Sequence, residues 1–417
     1  TGAAMNAASP EARSAAAAPK AQLLQRLGRW FPVGSSPPTR GLDRWLAGST
    51  LALLSLGLVM VASASIGLAT GHGDTLFFAK RHLLYLSLSG ALIAVVLRIP
   101  LAWWYAQSAT LLIVALLLLV AVLIPGIGRE VNGSRRWLAL GPFSLQVGEF
   151  AKLAMVVFTA AYLQRRQLHL REEWRDFAKP LAIVCVLAVL MLLQPDLGSI
   201  VVIAATVVTM LFLAGVRLWQ FFLLIAAGTA ALAALVLLSP YRAQRLVAYL
   251  DPWADQYDSG YQLIQSLIAF GRGGWFGVGL GNSVQKALYL PEAHTDFIFA
   301  IFAEEFGWLG VVVVVLAFSL LVARCFVCAR SAMQRQDWFA TYISFGVGIL
   351  LAGQAFINIG VTSGLLPTKG LTLPLVSYGG SSLLASSAMV ALVLRIGAEM
   401  EQRAEVARQV RRERSGG

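Results

Sequence analysis

Apolar runs of membrane-spanning length recur along the chain, at 45–68, 82–99, 104–124, 148–163, 179–194, 198–215, 218–239, 296–322, 339–360 and 377–396. A helix needs about 20 predominantly apolar residues to cross the hydrocarbon core. The pattern therefore predicts an all-α, polytopic integral membrane protein with about ten transmembrane helices. The runs 179–194 and 198–215 are separated only by a tight turn at Pro195 to Gly198. Polar positions gather in three long connections, 125–147, 240–295 and 361–376, and at the two ends. The chain divides into an N-terminal tail (1–44), a membrane domain (45–396) and a basic C-terminal tail (397–417). The first tail is rich in Ala, Ser and Pro and reads as disordered, with a short basic amphipathic helix at 22–32.

Composition agrees with the pattern. Hydrophobic residues make up 58% of the chain and charged residues 13%. A soluble domain carries roughly a quarter charged residues. The net charge of +12 sits in short segments between apolar runs, without a nucleic-acid-binding signature, so it points to anionic membrane lipid and excludes a nucleic acid partner. The basic segments also set the orientation. Arg26, Arg29, Arg40 and Arg44 precede the first run, and Arg165, Arg166, Arg171 and Arg175 follow the fourth. Arg324, Arg330 and Arg335 follow the eighth, and Arg403, Arg408, Arg411, Arg412 and Arg414 follow the last. With ten spans these segments share one side, which places both termini in the cytoplasm and the three long connections outside. Cys325 and Cys328 have C-x-x-C spacing but no second pair and no nearby histidine. A packed helix end is the expectation there, not a metal site.

Long connections in a compact helical bundle are usually functional. Four segments hold candidate chemistry. The first, 132–152, carries Arg135 and Arg136 against the positive-inside trend, then Glu149 and Lys152 three apart at the start of a span. Intramembrane charges are functional candidates, and an internal ion pair accounts equally well for these two. The second, Gln194 to Gly198, contains Asp196, read as a helix cap. The third runs from Asp251 to Gly310. Its glycines follow no strand, which excludes a dinucleotide fold; they either expose N–H groups to an anion or turn tightly. Arg272, Lys286 and His294 lie near Asp296, which opens an apolar run, with Glu304 eight residues on. A cap at Thr295 or Asp296 is the simpler account of that acid; its polar company favours a site. The fourth, 358–382, is apolar yet broken by Pro367 and Pro374, which predicts a loop dipping into the membrane against protein. It places Lys369 in a partly desolvated position, followed by Ser377, Gly379 and Gly380.

Together these segments resemble the SEDS family (shape, elongation, division and sporulation), and within it the cell-division branch. The runs YLPEAHTDFIFA at 289–300 and GLLPTKGLTLPLVSYGGSS at 364–382 carry the resemblance. One departure is visible: Gln146-Val-Gly-Glu-Phe150 stands where the family usually reads QPSEF. The resemblance implies ten transmembrane helices in a bacterial cytoplasmic (inner) membrane at the division septum, with the active site on the periplasmic side. It implies a peptidoglycan glycosyltransferase acting on lipid II and a growing lipid-linked glycan. The family's essential aspartate maps onto Asp296, and polar residues of its central cavity onto Arg135, Glu149, Lys152 and Lys369. Implied partners are a class b penicillin-binding transpeptidase and regulatory divisome proteins. A divalent cation, Mg²⁺ or Mn²⁺, is expected to arrive with substrate phosphates rather than in a protein cage. A lipid II flippase and a non-catalytic division scaffold are the rival readings; charges gathered on one face and no repeated halves count against the first.

Overall fold

The computed structural model describes residues 41–66, 74, 76–131, 133–141, 143–167, 174–258, 260–287, 289–368 and 370–415. The tail helix expected at 22–32, most of the N-terminal tail and Lys369 lie outside the described residues. Each of the ten apolar runs coincides with a helix. These are α1 (Arg44–Ala64), α2 (Phe77–Val96), α3 (Leu101–Leu123), α4 (Val147–Arg166), α5 (Trp174–Leu192), α6 (Leu197–Leu213), α7 (Leu218–Leu237), α10 (Ile298–Gln334), α11 (Trp338–Thr362) and α12 (Gly380–Ser415). Two shorter helices, α8 (Pro240–Leu250) and α9 (Tyr261–Gly273), lie within the 240–295 connection. Eight of the ten are long and apolar enough to cross a membrane. The other two, α5 and α6, pack on each other across the Pro195 turn. The chain is a helical multi-pass membrane protein.

Burial ranks the helices. α4, α11 and α12 are mostly buried and form the centre, whereas α7 buries no residue and stands at the edge against α6 and α8. Cys325 and Cys328 are free and packed in the core.

Two helices outrun their expected ends. α10 continues to Gln334 and α12 to Ser415, so the last membrane helix extends through most of the segment read as a tail. A further difference lies in the 125–147 connection. It folds into an antiparallel three-stranded meander, β1 (Gly128–Val131), β2 (Ser134–Leu140) and β3 (Phe143–Gln146), in an otherwise helical protein. The Gln146 N–H donates to Ser381 Oγ at 2.8 Å, which ties the sheet to the start of α12.

Two close backbone approaches shape the site end. The segment after α9 runs beside a break in α10 at Gly307, where φ is +66°. Val278 and Gly279 donate to the carbonyls of Glu304 and Glu305, and Trp308 and Leu309 donate to those of Gly274 and Trp275. A Cβ at Gly277 would lie 2.1 Å from the Glu305 carbonyl oxygen. Gly273, Gly277 and Gly307 are therefore spent on backbone packing. In the second approach, 371–376 enters the protein against the middle of α1: Leu371, Leu373, Leu375 and Val376 are buried. A Cβ at Gly57 would lie 2.8 Å from the Val376 carbonyl oxygen. Gly57 is seven residues before the end of α1, roughly 10 Å below it. This is the dipping loop that Pro367 and Pro374 predict, covered by protein as non-helical backbone at that depth requires.

Candidate active site

Asp296 lies in the turn that precedes α10. No side chain caps α10, whose N-cap position is Phe297, so the capping account of Asp296 fails. Its backbone carbonyl accepts from Asn358 Nδ2 at 2.8 Å, and the same Nδ2 donates to the Leu371 carbonyl at 2.5 Å. The Tyr378 N–H donates to the His294 carbonyl at 3.0 Å. Three contacts thus stitch the 291–297 turn to the dipping loop. One turn before Asn358 on α11, Gln354 donates to the Thr372 carbonyl at 3.1 Å and accepts from Lys152 Nζ at 2.8 Å. Residues four apart share a helix face, so α11 grips the loop at two successive turns. Lys152 also pairs with Glu149 at 2.8 Å, and both side chains are buried.

The Asp296 carboxylate accepts no hydrogen bond from the described residues, and the residue keeps partial solvent access. Burial, with Glu292 and Asp196 adding negative charge, pushes its carboxyl up to about 7, against an opposing pull from Arg136. Gly370 passes beside it: a Cβ there would lie 2.6 Å from Asp296 Oδ2. Arg136 donates to the Gln194 and Pro195 carbonyls, each at 2.6 Å, which fixes its guanidinium over the α5–α6 turn. Successive side chains of a strand point to opposite faces. Arg135, the candidate from sequence, accordingly points away and pairs with Glu130 at 2.9 Å on the hairpin. Asp196 caps α6 as expected, accepting from the Ser199 N–H at 3.2 Å and its hydroxyl at 2.9 Å.

His294 packs between Phe78 and Tyr378, with ring centroids 5.0 and 5.2 Å away. Burial holds its imidazole below the usual pKa, so at neutral pH it offers a polar ring rather than a cation. Ser377 accepts from the Leu373 N–H at 2.8 Å, Gly379 packs on Thr372, and Gly380 lies against Tyr85 where a Cβ would come within 2.4 Å.

Four other charged groups form a separate cluster at the break in α10. Glu304 accepts from the Ser283 hydroxyl and from the N–H groups of Val284 and Gln285 at 3.0 and 3.3 Å, with Arg272 3.6 Å away. Lys286 pairs with Glu305 at 2.8 Å and donates to Ser63 at 3.0 Å on α1. Arg272 and Lys286 thus neutralise internal acids. Sequence reasoning missed Glu305, Gln354 and Asn358; polar residues inside apolar helices were the available signal. Among the described residues no three His, Cys, Asp or Glu side chains converge on a metal-sized space.

A family model described as "Cell cycle protein" and grouping FtsW, RodA and SpoVE matches residues 44–402. A protein of Saccharophagus degradans named probable peptidoglycan glycosyltransferase FtsW is 52% identical over 370 residues, covering 88% of this chain and 96% of that protein. One of the same name from Hahella chejuensis is 54% identical over 362 residues, covering 87% and 91%. Among solved structures, a chain from work on the coordination of polymerization and crosslinking by a peptidoglycan synthase complex superposes with a TM-score of 0.71. It is 33% identical and the match covers 86% of this chain and 98% of that one. The rod shape determining protein RodA of Thermus thermophilus superposes with a TM-score of 0.65 at 31% identity, covering 87% and 98%. The match reaches all ten membrane helices and both loops that meet at Asp296, and the chain belongs to the FtsW, RodA and SpoVE family of cell cycle proteins, the SEDS family.

Proposed function

We propose that this chain is a peptidoglycan glycosyltransferase that polymerises lipid II into glycan strands at the division septum, with Asp296 as its general base. The observation that carries the reading is the state of that carboxylate. It caps no helix, accepts no hydrogen bond from the described residues, keeps partial solvent access, and is raised to about 7, where a carboxylate works well as a base near neutral pH. The similarity to proteins named peptidoglycan glycosyltransferase supplies the reaction class.

In the reaction, the C4 hydroxyl of lipid II gives its proton to the Asp296 carboxylate. The hydroxyl oxygen bonds to the anomeric carbon of the growing lipid-linked glycan. The bond from that carbon to the pyrophosphate breaks, and lipid pyrophosphate leaves with the electron pair. Arg136 is fixed by two carbonyls yet keeps further N–H donors, so it is placed to steady developing phosphate charge. Lys369, Arg135 and His294 are the remaining candidates for holding substrate. Glu149 and Lys152 act beneath the loop, through Gln354. A divalent ion, Mg²⁺ or Mn²⁺, would be held by the substrate phosphates and would offset part of their charge. The site faces the periplasm. The polymerised glycan passes to a class b penicillin-binding transpeptidase; similarity to a chain of a complex that coordinates polymerization and crosslinking supports that pairing. Regulatory divisome proteins complete the assembly.

The test is polymerisation of labelled lipid II by the purified chain with its transpeptidase and Mg²⁺ or Mn²⁺. Asp296→Asn and the transpeptidase alone run beside it. Wild type makes glycan strands and the Asn variant loses at least about 100-fold, the weight of a positioned base. Equal product from both removes Asp296 from the chemistry. No product from either, with all division partners supplied, favours a flippase or a scaffold.

A further inference from the structure

At the basic end of the bundle, remote from Asp296, two cavities share a wall. A polar cavity of ≈ 420 Å³ opens between the start of α1 and facing turns of α10 and α12; Asp43, Arg44, Arg324, Arg335 and Glu401 line it. An apolar groove of ≈ 560 Å³ runs between α1 and α10, walled by Gly48, Ser49, Ala52, Ala317 and Leu320. Arg44 and Trp45 border both.

The charges of the polar cavity are unevenly committed. Arg324 makes a two-pronged contact with Asp43 at 2.9 and 2.6 Å. Asp43 also accepts from the N–H groups of Trp45 and Leu46, so the first turn of α1 is already capped. Arg335 donates to the Met400 carbonyl. Arg44 is exposed, and no side-chain hydrogen bond or ion pair engages it among the described residues. Three guanidiniums face two carboxylates, and the uncommitted cation stands at the junction with the groove. Beside it Trp45 is 65% exposed, the placement of an indole at headgroup depth.

The groove is open and mostly apolar. The Ser49 hydroxyl is satisfied by the Leu46 carbonyl at 3.1 Å. A Cβ at Gly48 would meet nothing within 4 Å. From Arg44 to Ala52 the groove follows α1 for roughly 12 Å, well short of the ~30 Å that a partner's spanning helix would need. A polar, cationic mouth leading to a short apolar slot matches a lipid: phosphate at the mouth and an acyl chain in the slot.

We infer that the paired cavities seat one anionic phospholipid, its headgroup phosphate on Arg44 and one acyl chain in the α1–α10 groove. The bound lipid bridges α1 and α10, the two helices that also carry the Ser63–Glu305 contact at the opposite end.

The experiment is native mass spectrometry of the full chain in detergent micelles, titrated with phosphatidylglycerol or phosphatidylcholine. Wild type retains one phosphatidylglycerol through detergent removal, and retains phosphatidylcholine less. Arg44→Gln lowers the phosphatidylglycerol-bound fraction about five-fold, the weight of one Arg at an anionic surface. Arg44→Lys keeps most of it. Gly48→Leu fills the slot and lowers it as well; a melting temperature measured without lipid confirms that this variant folds. Equal retention of the two lipids by wild type overturns the proposal. So does unchanged phosphatidylglycerol binding in Arg44→Gln, or a dimer of the chain occupying the groove in place of lipid.

Discussion

The raised pKa of Asp296 makes both rate and stability depend on pH, in opposite senses. The carboxyl stands near 7 in the folded chain against 3.8 for an ordinary aspartate. A base must be ionised, so polymerisation rises with pH through 7. The ionised fraction grows from about one-tenth at pH 6 to about nine-tenths at pH 8, so the initial rate increases roughly ten-fold over that interval. An ordinary carboxylate is fully ionised throughout it and yields a flat profile. Stability runs the other way. A folded pKa above the unfolded one means that the folded chain binds the extra proton. The stabilisation is complete below pH 3.8 and is lost as pH rises through 7. The full shift corresponds to about 4 kcal/mol; partial solvent access to the residue reduces it to about 2 kcal/mol. Asp296→Asn cannot titrate. Thermal melting in detergent therefore shows wild type losing about 2 kcal/mol relative to the Asn variant between pH 4 and pH 8. Initial rates of lipid II polymerisation, read on gels across pH 6 to 8, supply the other half. A flat wild-type rate, or wild-type and Asn melting curves that stay parallel, refutes the reasoning.

The other predictions probe how the site is held. Lys152→Met leaves Glu149 buried without its cation and costs about 3–5 kcal/mol; Glu149→Gln in the same chain recovers much of that in thermal melting. Gly277→Ala drives a methyl group into the Glu305 carbonyl at a φ of +77°, whereas Gly281, at +85°, has nothing within 4 Å. Gly281→Ala therefore costs only the left-handed strain of about 1–2 kcal/mol, and Gly277→Ala melts well below it. Gly370→Ala presses on Asp296 Oδ2 without touching the core, so lipid II polymerisation falls while the melting temperature holds.

The ten membrane helices were legible because apolar runs of spanning length survive without knowledge of neighbours. The sheet was not: its strands span four, seven and four residues, too short for alternation to stand out beside Gly and Pro. That omission hid the register, and the register decides that Arg136 rather than Arg135 turns toward Asp296. The cluster at α10 was hidden for another reason. Lys286 and Glu305 meet Ser63, 242 residues from Glu305 in the chain, and adjacency of that kind leaves no local trace. Asp296 was singled out by its company, yet much of that company is now otherwise engaged. Arg272 and Lys286 neutralise Glu304 and Glu305. The stronger ground is how the nearby acids are satisfied. Glu130 is held by Arg135, Glu149 by Lys152, Asp196 by Ser199 and Glu292 by the Thr295 hydroxyl at 2.7 Å. Among the described residues around the dipping loop, Asp296 is the carboxylate left without a donor, and an acid that structure does not consume is the one that a substrate hydroxyl can use.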